Sequence, residues 1–271
     1  HQLPLAAGCF AAACLALLLP GLWRKRALLI GTGLALALGW NWLYGYAVRD
    51  PLVGLSGRSG TASMALLEYA VPTDYGAKVT VKLEGYPLGK VVYYGGEDLL
   101  DLRPGQTVTA QAKFQDAARL REDTITNFTS QGVFLLAYQR GEDAVYGEGS
   151  AGSPRWWPAR AARAMQDHLA ELFGGDEAAF LSAILTGDTS GLSEEARSDL
   201  SEAGLSHILA VSGLHVSVVG MFLYRLMRRW GIGFGLGGLI SGSLVFLFAQ
   251  LCGMGVSVLR AAGMFFLYLI A

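Results

Sequence analysis

The chain has 271 residues, 52% hydrophobic and 16% charged, with 36 glycines and a mean hydropathy of +0.38. Soluble domains carry about 25% charged residues, so this balance excludes a disordered tail, a disulfide scaffold and a basic protein that coats nucleic acid. The formal net charge of −1 hides a partition: residues 1–48 and 203–271 hold seven bases and no acid, whereas 49–202 hold 14 bases and 22 acids.

An apolar, purely basic start and end around an acidic middle predict membrane, water-soluble domain, membrane. Cys9, Cys14 and Cys252 all lie in apolar runs, so they read as small packing residues rather than a disulfide framework.

Residues 3–22 are apolar enough to cross about 30 Å of hydrocarbon. Arg24, Lys25 and Arg26 follow that run instead of preceding it, which fits an anchor and not a cleaved signal. A second span, about 27–46, ends in Trp40, Trp42, Tyr44 and Tyr46, an aromatic belt at headgroup depth. The basic triplet between the spans is then cytoplasmic, and the chain emerges outside near Arg49. These spans make up residues 1–48, the first of four expected regions.

Over 54–153 the pattern changes to period two, with candidate strands Thr61–Ala70, Ala77–Gly85, Leu88–Tyr94, Gln106–Gln115 and Gly132–Gln139. In the second, Val79, Val81 and Leu83 face one way and Lys78, Thr80 and Lys82 the other. Gly85-Tyr86-Pro87 reads as a hairpin turn, and Arg103-Pro104-Gly105 as the start of the fourth strand. Five short strands suit a small Greek-key barrel, with an OB-fold ahead of an immunoglobulin-like sandwich, which wants about seven strands.

The third region, 154–203, is expected to be amphipathic helix. Trp157, Ala161, Ala164, Met165, Leu169 and Leu172 recur at helical spacing, with Arg160, Arg163, Gln166, Asp167 and Glu171 largely opposite. This helix suits a membrane surface, and packing on the barrel remains open. Asp176 is expected to cap a short helix ending near Leu185. After a turn at Gly187-Asp188, Ser193 caps another, with Glu194 and Glu195 at its positive end and Gly204 as its stop.

The fourth region, 204–271, returns to lipid. A span over about 205–227 ends at Arg225, Arg228 and Arg229, which the positive-inside rule places in the cytoplasm. In the next, 232–252, Gly233, Gly237, Gly238, Ser241 and Gly242 would let a neighbouring helix approach closely. The last run follows Gly253-Met254-Gly255 and is still apolar at Ala271, while the chain opens on His1, so both ends are expected to be cut. The fold class is thus a mixed membrane protein: transmembrane helices, an extracytoplasmic all-β OB-like barrel, amphipathic helices and a helical membrane domain.

Ile184-Leu185-Thr186-Gly187-Asp188-Thr189-Ser190-Gly191-Leu192-Ser193 and Gly204-Leu205-Ser206-His207-Ile208-Leu209-Ala210-Val211-Ser212-Gly213-Leu214-His215-Val216, at this separation, resemble the ComEC competence family. Gly187, Asp188, Gly191, Ser206 and Gly213 carry much of the motif. Val256-Ser257-Val258-Leu259-Arg260-Ala261 and Met264 look like a third family stretch, without the proline members often carry before the serine.

The resemblance implies a multi-pass channel in the bacterial inner membrane that admits single-stranded DNA during natural transformation. It also implies an extracytoplasmic DNA receptor and a cytoplasmic ATP-driven motor as partners, with the lipid bilayer around it. Members often end in a metallo-β-lactamase-like nuclease domain whose histidine-aspartate motif does not occur here. No catalytic residue, cofactor or metal is therefore expected of this chain.

A polyanion crossing lipid needs a polar, cationic lining. Candidates are His207, Ser212, His215 and Arg260, of which Arg260 can also be read as an interfacial residue that snorkels. On one helix His207 and His215 stand about 12 Å apart along the axis and about 80° apart around it, too far to share a metal. Gly213 next to Ser212 would allow a broken helix. On the barrel, Lys78, Lys82 and Lys90 with Tyr86, Tyr93 or Tyr94 could hold a single strand. Against this, residues 54–153 carry 9 bases and 12 acids, and phosphate binding favours a basic surface. The alternatives are a membrane-anchored OB-like docking module without conduction, and an intramembrane hydrolase using Ser212 and His215, for which no GxSxG elbow exists.

Overall fold

The computed structural model describes residues 8, 21–120, 123–124, 127–205 and 213–270. The first expected span falls almost wholly outside them, as do Cys9, Cys14, Ser206, His207 and Ser212. Two compact units emerge: His1–Ala65, Thr80–Gly95 and Val108–Val145 form one, and Leu66–Val79, Gly96–Thr107 and Tyr146–Ala271 the other.

The first unit opens on helix α1, Gly21–Tyr44, which has no acidic residue in its first turn and no buried face to speak of. It continues through a π turn, Gly45–Arg49, into a last α turn, Asp50–Val53. The widened turn immediately precedes Pro51, which has no N–H to donate to the helical ladder. Lys25–Val53 is thereby one apolar helix of 29 residues, long enough to cross a membrane. Its far end is anchored: Leu52 is 1% exposed and Val48 6%.

All five expected strands form, as β1 (Ser59–Leu66), β3 (Gly76–Leu83), β4 (Lys90–Gly95), β5 (Thr107–Asp116) and β8 (Val133–Gly147). Three short strands join them: β2 (Val71–Thr73), β6 (Arg119–Leu120) and β7 (Asp123–Thr124). The sheet runs β1-β5-β8-β4-β3-β2, and an additional β1–β3 pairing closes five strands into a barrel. β4 and β8 are parallel, with Lys90 opposite Val133 and Tyr94 opposite Tyr138.

The predicted alternation holds on β3, where Val79, Val81 and Leu83 are buried and Lys78 is exposed. Val108, Ala110, Ala112 and Phe114 do the same on β5. β8 runs eight residues past its predicted end because Gly141 takes φ +81, a conformation that lets the strand bend and continue. Outside the barrel wall a second apolar cluster joins Val92, Ala117, Val133 and Leu136, with Tyr94, Phe128 and Tyr138 packed against it.

In the second unit the helices are α2 (Trp157–Leu172), α3 (Gly175–Thr186), α4 (Glu194–Glu202), α5 (Gly213–Arg229), α6 (Phe234–Leu251) and α7 (Val256–Ile270). A short 3-10 turn, Pro154–Trp156, leads into α2 and is capped by the Ser153 side chain. Here the expected buried stripe shifts in phase. Trp156 and Ala162 are buried, whereas Trp157 is 51% and Leu172 62% exposed. Trp156 takes the inner position because it fills the space beside Gly105, whose φ is +93. A Cβ there would meet Trp156 Nε1, stand 2.8 Å from its Cδ1 and lie 2.9 Å from the Ala151 nitrogen. Helices α5, α6 and α7 pack on one another around Val216, Tyr224, Val245, Ala249, Val258, Ala261, Ala262 and Phe265.

Candidate functional site

The motif at 184–193 folds as a hydrogen-bonded loop between α3 and α4. Helix α3 stops because Gly187 adopts φ +81, the left-handed cap that glycine takes without a Cβ penalty. Thr186 bonds back, donating its hydroxyl to the Ser182 carbonyl at 2.8 Å, and accepts from Gln166 Nε2 of α2 at 2.9 Å. Asp188 Oδ1 accepts the Ser190 N–H at 2.9 Å, an Asx turn. Gly191 lets the loop lie on α3, since a Cβ there would come 3.3 Å from that of Ala179.

Ser193 caps α4 as expected, accepting the Ala196 N–H at 3.1 Å, with Glu194 and Glu195 in the first turn. Gly204, at φ +71, follows the end of that helix.

Asp176 does not cap its own helix, whose N-cap is Gly174. The Gly174-Gly175 pair already turns the chain there, at φ +68 and +51, and frees the carboxylate for another partner. Asp176 Oδ1 accepts the Ser193 N–H at 3.0 Å and Oδ2 the Ser193 hydroxyl at 2.8 Å. The backbone bond first, and then the hydroxyl bond, hold its carboxyl below the ordinary value of 3.8. Arg197 Nη2 donates to the Thr189 carbonyl at 2.6 Å and ties α4 to the loop from its other side. Gln166, Asp176 and Arg197 carry no sequence signal for these roles, because their partners are 20, 17 and 8 residues away.

The helices after this loop run up, down and up, so α5 and α7 begin at the same end of their bundle. His215, half-buried, lies near the start of α5, and Arg260, exposed, near the start of α7. Arg260 projects from the packed face formed by Val258, Ala261 and Ala262. The expected buried cation is therefore an exposed one on this helix. The opposite end carries Arg225, Arg228 and Arg229, and Arg228 Nη1 donates to the Ile232 carbonyl at 3.0 Å.

Close approach of the helices uses three of the five predicted small residues. A Cβ at Gly242 would stand 3.0 Å from Phe266, at Gly237 3.5 Å from Met227, and at Gly238 3.7 Å from Leu269. Ser241 is fully buried and donates to the Gly237 carbonyl at 2.7 Å, whereas Gly233 has open space beside it. Gly220, not foreseen, is the tightest point: a Cβ there would meet Val245 at 2.9 Å and Phe265 at 3.0 Å.

On the barrel, Lys78 and Lys90 are exposed, and Lys82, Tyr86 and Tyr94 are half-buried. Tyr93 is corrected: it is 0% exposed, inside the barrel, and its hydroxyl donates to Gln139 Oε1 at 2.9 Å, so it offers no face to a base. Its neighbour Tyr94 stacks on Tyr138, ring centroids 4.9 Å apart. Burial, and then the nearby Tyr138, push the Tyr94 phenol above its ordinary value.

Residues 184–271 match the family model described as competence protein. Over 94 residues the chain is 33% identical to "ComE operon protein 3" of Bacillus subtilis (strain 168), a stretch that covers 35% of this chain and 12% of that relative. Among solved structures, an aspartyl tRNA synthetase from Entamoeba histolytica aligns with a TM-score of 0.26 and 8% identity. It covers 68% of this chain and 37% of its own, a likeness too low to bear on fold or function. The motif loop and the helices that follow it thus lie in the stretch that is similar to the competence family, and the chain spans only a small part of the length of the curated relative it matches.

Proposed function

We propose that the chain forms part of an inner-membrane channel that passes single-stranded DNA during natural transformation. The observation that carries this reading is the match of 184–271 to the competence family, over a segment whose motif loop is tied down on both sides. In this reading α1 and the α5–α7 helices cross the bilayer. Lys25 and Arg26 at one end of α1, and Arg225, Arg228 and Arg229 at the end of α5, face the cytoplasm. The barrel and the motif loop then lie outside.

The barrel is read as an OB-fold: five strands closed in Greek-key order with one parallel pair, β4–β8, support that assignment. DNA passes the helical part near His215 and Arg260, which start two packed helices at the outer end. In this reading the driving force comes from an ATP-driven partner, and the strand is delivered by an extracytoplasmic receptor.

The test is import of labelled DNA by cells carrying His215→Ala or Arg260→Ala. Import is expected to fall at least tenfold with membrane levels of the protein unchanged. Full import in both variants at equal levels would leave these residues without a place on the DNA path. Full import in cells that lack the protein would reject the channel itself.

A further inference from the structure

Positive charge gathers at the start of α2. Between Glu148 and Asp167 the only charged residues are Arg155, Arg160 and Arg163, in the 3-10 turn and the first half of the helix. Arg155 and Arg163 are exposed and Arg160 is half-buried. Their order works against the helix. The first turn, which Arg160 ends, has no acid, and Glu171 lies in the last turn, where no base stands. The helix dipole favours the reverse, acids first and bases last. Folding of α2 therefore gives no reason for this run of arginines.

Aromatic rings stand among the three cations. The Arg155 guanidinium carbon lies 5.2 Å from the centre of the Trp156 ring, and that of Arg163 lies 5.7 Å from the centre of Tyr69, in the β1–β2 connection. Trp157 is 51% exposed. Trp157, Arg160 and Arg163 follow at intervals of three, so they share about 120° of the helix circumference over about 9 Å of its length. Asp167 is the acid paired here, its Oδ1 3.2 Å from Arg163 Nε, and Glu68, exposed, adjoins Tyr69. All these residues belong to the second unit.

We propose that Arg155, Arg160 and Arg163, with Trp157 among them, form a binding site for single-stranded DNA ahead of the motif loop. Guanidinium groups take the phosphates and the open indole stacks on a base, the combination that sequence-tolerant single-strand sites use. One turn beyond Arg163, Gln166 holds Thr186 of the motif loop at 2.9 Å, so a strand bound here lies beside that loop. The proposal rests on the reading that the protein passes DNA. An anionic membrane surface fits the site less well. The apolar stripe of α2 is taken up in packing on α3 and α6, with Ala162 buried and Met165 and Leu169 half-buried. Trp157 is the one large apolar side chain exposed in the first half of the helix, where an interfacial helix needs a whole apolar face.

The experiment measures binding of a fluorescent oligothymidylate to the full chain in phosphatidylcholine nanodiscs, by anisotropy over a range of salt. Arg160→Gln combined with Arg163→Gln is expected to weaken binding at least tenfold. It should also lower the slope of log K against log salt by about 1.4, since each phosphate contact on a single strand contributes about 0.7. The paired lysine variant, Arg160→Lys with Arg163→Lys, should keep the slope. Trp157→Ala should weaken binding about tenfold and Trp157→Phe much less. Asp167→Asn, which removes the competing carboxylate, should tighten it.

Unchanged affinity and slope in the double glutamine variant overturns the site, as does a parent chain that binds no oligothymidylate. Quenching of Trp157 by brominated lipid, read as the difference between the parent and Trp157→Phe, overturns it too and lays α2 on the membrane instead. Binding lost in the double variant, together with full DNA import by cells that lack the protein, upholds the site and rejects the channel.

Discussion

The barrel and the α5–α7 bundle put opposite residues on the outside. Along β3 and β5 every second side chain is apolar and buried, while Lys78, Gln111 and Lys113 face out. In the bundle, Ser241 and Gly242 are inside, while Leu239, Phe246, Met264 and Leu267 are 66%, 48%, 68% and 68% exposed. Water selects the first arrangement, because burying apolar area is the main favourable term there. In the proposed membrane reading the bundle meets lipid, which offers no such gain between helices, so small residues that permit close backbone contact would hold them together. The two regions should therefore fail for different reasons.

The largest expected effect tests the water-side region. Leu52 is 1% exposed and sits over Gly89, so Leu52→Ala leaves a cavity costing about 2–5 kcal/mol. Amide exchange in β3, β4 and β8 should quicken while α6 and α7 keep their protection. Loss of protection in both regions together would show that the barrel and the bundle do not fail separately.

The second test is the reverse. Gly220→Leu forces a side chain against Val245 and Phe265, an overpacking worth about 1–3 kcal/mol. Protection should fall in α5, α6 and α7 and hold in the barrel strands. If the bundle tolerates leucine at Gly220, close approach is not what holds these helices together.

The contrast also explains which parts of the fold the sequence revealed. Alternation is clear on β3 and β5, whose second face carries exposed polar side chains. It failed at β4, where Val91, Val92, Tyr93 and Tyr94 are all apolar or aromatic. The second cluster outside the wall removes the polar phase that would have shown Tyr93 pointing in. The end of β8 was hidden for a different reason: Gly141 takes φ +81, and that conformation, which lets the strand bend and continue, leaves no mark in the period-two pattern. On α2 the apolar spacing was correct and its phase was not, since Trp156 and Trp157 are equally apolar and contact with Gly105 selects the first. Of the motif loop, Gly187, Ser193 and Gly204 were readable because caps and left-handed turns are local. The Asp176, Gln166 and Arg197 ties were not, because they join groups 17, 20 and 8 residues apart, on different helices or between α4 and the loop.

The smallest expected effect concerns that loop, which belongs to neither pattern: polar groups hold it. Asp176 accepts two bonds from Ser193, and its carboxyl is held below the ordinary value of 3.8. A depressed folded value means the charged form is favoured in the folded state. The contribution is fully present above the ordinary value and is lost as the pH falls through the folded one. Amide exchange at Ser193 and Ala196, corrected for its intrinsic pH dependence, should stay slow near neutrality and quicken on acidification below pH 3.8. Asp176→Asn should remove this acid-induced change, while Ser193→Ala, which loses the α4 cap as well, should weaken the loop at every pH by about 1 kcal/mol. Because Asp176 is exposed, solvent screens the pair and the acid effect stays local. Identical acid profiles for the parent and Asp176→Asn would show that the carboxylate holds nothing, leaving Arg197 and Gln166 to position the loop ahead of α5.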